Sequence, residues 1–376
     1  MTRTIFSIIK CGLRSLIYSS ITAGALAAVF AYGGYQPQKI ETENKQNRPL
    51  EQTITVMSAN IAACRGRPFS FWDLFPNPVT TWRHGGISYN GCKKLEQLIN
   101  EYNISLAGLQ EIEQNDVREE HQPQLFSNYT RLINYSFASN ITHYFMARWF
   151  LADGNAVLSQ PSIETSRWIP LEPEKPFSWG TIFDYLVGTE GIQHATVKYR
   201  QQIINIINVH LSNHEFTERK LSTGRIQRER EMEFRQIFEY AAKITRQGPT
   251  IIFGDWNSVP PSLRTKEFLH AESKYLGEYT WEAAAEIIAR EGLVLEHGGV
   301  LVNNNIAGSY HGEVPTSKLG LPCGKKDIGE RIDMIFTLYD PLRNKIIPRL
   351  LSTTVLNEYL VSDHYPVIAE IRFEEN

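Results

Sequence analysis

The chain has 376 residues, 42% of them hydrophobic and 21% charged. That composition supports a sizeable core and excludes disorder or a collagen-like repeat for most of the length. Lysine plus arginine number 38 against 41 acidic residues, a formal charge of −3, so bulk positive charge does not mark the chain as a nucleic-acid binder, although a local basic cleft can hide in a neutral total. The four cysteines, at positions 11, 64, 92 and 323, contain no C-x-x-C pair and are too few for a disulfide scaffold, which argues against a structural zinc site.

The first 14 residues carry Arg3, Lys10 and Arg14 without an acid, and Ser15 to Tyr35 holds no charge. A basic flank ahead of an apolar run is a membrane-targeting pattern. Val29-Phe30-Ala31 resembles the cleavage site of a secretory signal peptide; alternatively, the uncharged run is long enough to stay as an uncleaved anchor. Either outcome makes the protein membrane-anchored or secreted. Residues 1–35 are assigned to this signal peptide or membrane anchor and 36–51, rich in Gln, Asn, Lys and Glu, to a linker. Residues 52–376 form the folded domain. In an oxidising compartment Cys64 and Cys92 could pair; unpaired thiols are the alternative.

Strands and helices then alternate. Thr53 to Ser58 is β-branched and apolar, the pattern of a strand. Cys92 to Tyr102 places Leu95, Leu98, Ile99 and Tyr102 on one helical face. Strands are expected at Ile104–Leu109, Ala156–Leu158, Ala195–Tyr199 and Ile203–Val209. Glu218 to Arg246 is the clearest helix, with Ile226, Phe234, Ile237, Phe238, Ala241 and Ile244 in its stripe and Arg225, Arg228, Arg230 and Arg235 on a solvated face. Thr250–Phe253 reads as a central strand, Trp281–Arg290 as a helix closed by Gly292, and Arg331–Thr337 and Val367–Phe373 as the last strands.

Polar residues end these strands. The first closes on Asn60, the second on Gln110-Glu111, the fifth on Asn208-Val209-His210, and the central one on Gly254-Asp255-Trp256-Asn257. Arg331-Ile332-Asp333 opens a strand and Ser362-Asp363-His364 precedes the last. A strand leaving a core often ends in a polar residue, so each alone says little. Together they supply carboxylates, carboxamides and imidazoles, a set suited to a hard oxygen-liganded cation beside a phosphate.

In order and spacing, Asn60, LQE, NVH, GDWN, RID and SDH resemble the motifs of the endonuclease/exonuclease/phosphatase superfamily, the deoxyribonuclease I-like fold, over about residues 53–373. The resemblance implies an α/β fold: a four-layer sandwich of two packed mixed β-sheets flanked by helices, forming one catalytic domain over 52–376. It implies a Mg²⁺-dependent hydrolase of phosphoester bonds, with Mn²⁺ as a substitute. Carried over by motif, Glu111 is the main metal ligand, with Asn60 nearby and Asp363 completing the network. Asp255 positions or deprotonates the attacking water and Asn257 bonds the phosphate. His210 is the general acid for the leaving oxygen. His364 contacts a phosphate oxygen or accepts a proton, oriented by Asp333. Asn155 and Arg331 are substrate-side candidates, Arg331 having a structural reading as well. A histidine at position 210 separates the chain from abasic-site endonucleases and aligns it with deoxyribonuclease I-like and sphingomyelinase-like members.

The substrate is less sharply drawn. The stretch between Cys64 and Cys92 holds Phe69, Phe71, Trp72, Leu74, Phe75 and Trp82 among prolines, and Trp168 to Tyr185 is a second aromatic insert. Both suit a lipid interface and equally a satellite core on the sandwich. With the N-terminal segment they favour a membrane surface and a phospholipid phosphodiester. A secreted or periplasmic nuclease, an inositol-phosphate phosphatase and a silent binding module are the alternatives. Lys325, Lys326 and Arg331 are a small phosphate patch. No protein partner is inferable.

Overall fold

In β-strands alternate side chains face opposite ways, and this chain uses both faces. Along Thr53–Asn60, Ile54 and Val56 belong to one buried cluster, and Met57 and Ala59 to another. A strand buried on both faces needs a layer on each side, and the fold provides it. The computed structural model of the chain describes residues 40–61, 91–115, 120–139, 153–171, 191–211, 223–257, 278–297, 333–356, 362 and 364–376.

In chain order the described elements begin with β1 (Ile40–Glu43), β2 (Thr53–Asn60), α1 (91–101), β3 (Ile104–Asn115), β4 (Glu120–His121) and α2 (Gln122–Tyr129). They continue with β5 (Asn134–Ser139), β6 (Asp153–Ser159), β7 (Thr165–Pro170), β8 (Gly191–Tyr199), β9 (Gln202–His210) and α3 (Thr223–Thr245). The last are β10 (Thr250–Asp255), α4 (Glu278–Glu291), β11 (Val294–His297), β12 (Asp333–Tyr339), β13 (Ile346–Val355) and β14 (Val367–Glu375). One sheet has eight strands in the order β1-β5-β6-β3-β2-β14-β13, with β4 paired to β3; the other has six, in the order β11-β12-β10-β9-β8-β7. Each mixes parallel and antiparallel pairs: β2 runs parallel to β3, and β9 parallel to β10.

Three apolar clusters define four layers. Val56, Leu106, Val197, Ile206, Phe253 and Ile371 pack between the sheets. Leu95, Leu98, Ile99 and Phe126 of α1 and α2 cover the outer face of the eight-stranded sheet against Met57, Ala107 and Phe137. Phe234, Phe238, Ala284 and Ile287 of α3 and α4 cover the six-stranded sheet against Ile207, Ile252 and Phe336. This is the expected sandwich of two mixed sheets flanked by helices.

Several expectations shift. The 36–51 stretch, read as a linker, contributes the edge strand β1, antiparallel to β5. Leu50 enters the inter-sheet core, and the Asn134 amide donates to Gln46 O at 2.7 Å. The polar composition that suggested a linker reflects an edge strand with one wet face. Arg230 is 7% exposed, not on a solvated face: its Nη1 donates to Trp256 O at 3.2 Å and lies 3.4 Å from Glu233 Oε2. Trp168 belongs to β7 and packs over Gly191, where a Cβ would approach its ring to 2.4 Å. Cys92 is a buried free thiol, the unpaired alternative, and Cys64 lies outside the described residues. So do residues 1–39, and with them the expected signal or anchor. Among the described residues no helix is long and apolar enough to cross a membrane.

Candidate active site

The same alternation that builds the core delivers the polar residues. Val56 faces the other sheet, so Ser58 and Asn60 do too; Leu106 is followed on that face by Gly108 and Gln110. On the six-stranded sheet Ile206 is followed by Asn208 and His210, and Ile251 and Phe253 by Asp255. Asp333, opening β12, stands directly opposite Asp255 in register. Each inward face thus turns from apolar to polar at the same end of the sandwich. The sheets are close there: a Cβ on Gly108 would come within 2.6 Å of Phe253 Cβ, which only glycine avoids.

Glu111 needs one further device. Gln110 faces inward, so simple alternation would send Glu111 outward under the helices. Between the pairs Leu109↔Ala156 and Ile112↔Gly154, however, β3 holds two residues against the single Asn155 of β6. That is a β-bulge, and Glu111 sits in it at φ 50°, an uncommon conformation for a residue with a Cβ. Both Gln110 and Glu111 therefore reach the cleft, while Leu109 and Ile112 stay in the outer cluster. Asn208, from the opposite sheet, braces the bulge. Its Nδ2 donates to Leu109 O and Ala156 O, both at 3.0 Å, and its Oδ1 accepts from Gln110 Nε2 at 2.6 Å. Gln110 and Asn208 belong to the quoted motifs, but their role follows only from this contact. The available signal was an amide two residues before His210, on the same face.

Asp255 is the hub. Asn60 Nδ2 donates to Glu111 Oε1 at 2.9 Å and to Asp255 Oδ2 at 3.0 Å, bridging the two sheets and two carboxylates. Asp255 Oδ2 also lies 3.6 Å from His210 Nε2 and 3.7 Å from His364 Nε2. His210 Nε2 is 3.7 Å from Glu111 Oε1. The other oxygen, Oδ1, accepts from the Asn257 backbone N–H at 3.0 Å, an Asx turn that sets the loop after β10. Asn257 has φ 43° and its Nδ2 donates to Leu211 O at 2.7 Å. Trp256, fully buried, anchors that loop in the outer layer, with ring centroids 5.1 Å from Phe234 and 5.7 Å from Phe238.

His364 and Asp333 form a buried pair, Nδ1 to Oδ2 at 2.7 Å. A carboxylate only accepts, so Nδ1 carries the proton and Nε2 is turned toward Asp255. Ser362 holds the segment in place: its Oγ donates to Asn60 O at 2.6 Å and accepts from His364 N at 2.9 Å. Asn155 is fully buried, on the inward face of β6, and neither polar atom of its side chain has a hydrogen-bond partner among the described residues. An unpaired buried amide costs about 1–3 kcal/mol, a cost that an oxygen-rich ligand in the cleft would remove. Of the candidates, Asn60, Glu111, Asn155, His210, Asp255, Asn257, Asp333 and His364 converge on this end of the sandwich. Asp363 and Arg331, with Lys325 and Lys326, lie outside the described residues.

The donor set fits a divalent cation. Three carboxylates gather here, and among the described residues the ion pairs of Glu111 and Asp255 are with histidine rings alone. Glu111 keeps about a third of its side chain exposed, and its carboxylate offers the oxygen ligands that Mg²⁺ prefers. Asp255, Asp333 and His364 also bring one ligand atom each within 4.8 Å of one another, but the hydrogen bond between the last two makes an orienting pair the simpler reading.

The sequence matches the profile of the Endonuclease/Exonuclease/phosphatase family over residues 87–364, well over half of the chain. It finds no match among curated proteins. Among solved structures, an endonuclease/exonuclease/phosphatase from Beutenbergia cavernae is similar with a TM-score of 0.54 at 16% identity, covering 86% of this chain and 72% of that one. A family protein from Leptotrichia buccalis has a TM-score of 0.49 at 16% identity, covering 85% and 99%. D. rerio TDP2, solved with a single-strand DNA product, has a TM-score of 0.48 at 12% identity, covering 86% and 100%. At these identities the likeness to the B. cavernae structure is one of fold.

Proposed function

Because the chain belongs to the endonuclease/exonuclease/phosphatase family, whose members are metal-dependent hydrolases of phosphoester bonds, we propose that it cleaves a phosphodiester at a membrane surface, with a phospholipid as substrate. The observation that carries the hydrolytic reading is the bridge Glu111–Asn60–Asp255, with His210 and the His364–Asp333 pair within 3.7 Å of the same Asp255 oxygen. The lipid half rests on the uncharged Ser15–Tyr35 run and the aromatic stretch between Cys64 and Cys92.

The residues divide the work as follows. Glu111, with Asn60 beside it, would hold Mg²⁺ or Mn²⁺, which when bound would offset charge on a phosphate oxygen. Asp255 orients the attacking water and takes its proton through Oδ2, the oxygen that faces His210 and His364. His210 gives a proton to the departing oxygen as the P–O bond breaks. His364, held by Asp333, presents Nε2 to a phosphate oxygen. Asn257 and Asn155 donate to the remaining phosphate oxygens as charge builds on them.

Full-length protein with Mg²⁺ should release head groups from sphingomyelin vesicles, and EDTA or Asp255→Ala should abolish the release. Plasmid nicking under the same controls, without lipid cleavage, would replace the lipid with nucleic acid. No cleavage of either, by folded protein, would refute the proposal.

A further inference from the structure

We infer that Gln193 is a positioning residue for the metal site: acting through Asn208, it fixes the bulge in which Glu111 turns to the cleft. This rests on Glu111 being the metal ligand proposed above. It adds a residue that lies outside the motifs and bonds to none of the groups given a chemical role.

Gln193 stands on the face of β8 that turns to the other sheet, followed on that face by Ala195 and Val197 of the inter-sheet core. It is fully buried, and a buried amide needs a partner at each end. Its Nε2 donates to Ser136 O, on β5 of the opposite sheet, at 2.8 Å, with Ser136 Oγ at 3.4 Å. Ser136 is held in turn, its Oγ donating to Ser166 Oγ of β7 at 2.6 Å. The other end, Oε1, accepts from Asn208 Nδ2 at 3.3 Å, and Asn208 is its directly paired neighbour on β9.

These contacts have one polarity. A backbone carbonyl only accepts, so Ser136 O takes the Gln193 N–H and leaves Oε1 facing Asn208. Asn208 then turns Nδ2 to three acceptors, Gln193 Oε1, Leu109 O and Ala156 O, and turns Oδ1 to Gln110 Nε2. Three amides thus form a directed chain: Gln110 donates to Asn208, Asn208 to Gln193, and Gln193 to Ser136 O. Turning any of them over sets oxygen against oxygen, and bonds in such a chain polarise one another. The chain starts in the bulge. Gln110 and Glu111 are the two residues set against Asn155, and Leu109 and Ala156 are the pair just before them. Glu111 has φ 50° there, an uncommon conformation that its surroundings must hold. Among the described residues, Gln193 makes the hydrogen bond that ties the Asn208 side chain to its own sheet; the other three reach across to β3 and β6. Without that tie the Asn208 amide follows β3 and β6 instead of restraining them.

The test compares full-length Gln193→Met, which matches glutamine in length and removes both bonds, with Val197→Ala, a core truncation deeper on the same face of β8. Titration calorimetry reads Mg²⁺ affinity and urea unfolding reads stability. Gln193→Met should weaken Mg²⁺ binding about 3–10-fold, below the roughly 10–100-fold typical of groups bonded directly to a metal ligand. Val197→Ala should unfold at lower urea and keep its Mg²⁺ affinity. Gln193→Glu, which keeps an oxygen toward Asn208, should bind Mg²⁺ at least as well as wild type. Unchanged affinity in Gln193→Met, an equal loss in Val197→Ala, or an equal loss in Gln193→Glu overturns the inference. Should Gln193→Met not fold, the wild type carries the test: Mg²⁺ should shift the Gln193 side-chain amide resonance, and a response that stops at Gln110 and Asn208 overturns it. Glu111→Gln separates the two readings. If it binds Mg²⁺ normally, the ligand assignment fails and this inference with it; if it binds weakly while Gln193→Met binds normally, only the role of Gln193 falls.

Discussion

Replacing Asn208 with leucine tests whether the active-site bulge is held from the opposite sheet. The fully buried Asn208 amide accepts from Gln110 at 2.6 Å and donates to Leu109 O and Ala156 O at 3.0 Å and to Gln193 Oε1 at 3.3 Å. Leucine has the same branching and heavy-atom count, so no cavity is created and the main cost is polar. At about 1 kcal/mol net for each of these hydrogen bonds, plus at least about 1 kcal/mol for a buried Gln110 amide left with only long contacts, the loss should be about 5 kcal/mol. Urea unfolding, read as a midpoint shift at constant slope, measures it. Because Leu109 and Ala156 are the last pair before the bulge, Mg²⁺ affinity by titration calorimetry should fall as well. Asn208→Asp keeps the acceptor for Gln110 and loses the donors, separating the two halves of the brace. A change below 0.5 kcal/mol in Asn208→Leu, with Mg²⁺ affinity intact, would refute the argument.

Glu111→Gln should weaken Mg²⁺ binding at least tenfold by calorimetry, since it removes the most exposed carboxylate of the site; equal affinity would move the metal to the Asp255–Asp333–His364 group. His364→Ala should cost on the order of 10²-fold in rate, and a loss under tenfold would leave His364 a structural role. Gly108→Val forces a Cβ against Phe253 at 2.6 Å. It should destabilise by about 1–3 kcal/mol and slow hydrolysis by parting Asn60 from Asp255. Buried His194 has its pKa lowered from 6.5 to about 4, first by burial and then by Arg167, against the opposing bond to Asn205. Arg167 Nε donates to its Nδ1 at 3.0 Å, so the native ring is neutral. The unfolded chain then binds the proton first, so this contribution is complete above about pH 6.5 and is lost as pH falls toward 4. Over that window the stability gap between wild type and His194→Gln should narrow by about 3 kcal/mol in parallel urea titrations; a constant gap would contradict it.

Much of this protein was legible in one dimension because its site is written in the period of a strand. Ser58 and Asn60, Asn208 and His210, and Phe253 and Asp255 share faces through local geometry alone, so the polar strand ends and the family motifs could be read without a partner strand in view. The helices were legible for the same reason: Leu95, Leu98 and Ile99, and Phe234, Ile237, Phe238 and Ala241, follow the helical period and are buried as expected. What escaped the sequence depends on pairing between distant segments. β1 is polar and short, and it becomes a strand only because β5 offers it an edge. Arg230 looks solvated by type and is buried because the Trp256 carbonyl lies above it. Glu111 faces the cleft only because β3 gains one residue over β6 and Asn208 reaches across from the other sheet. The sequence by itself determined which face of each strand the candidate residues occupy, since side-chain direction within a strand is local. Tertiary structure alone decided that Glu111 turns inward and that Ile40–Glu43 becomes an edge strand, because register and bulges are settled by contacts between strands far apart in the chain.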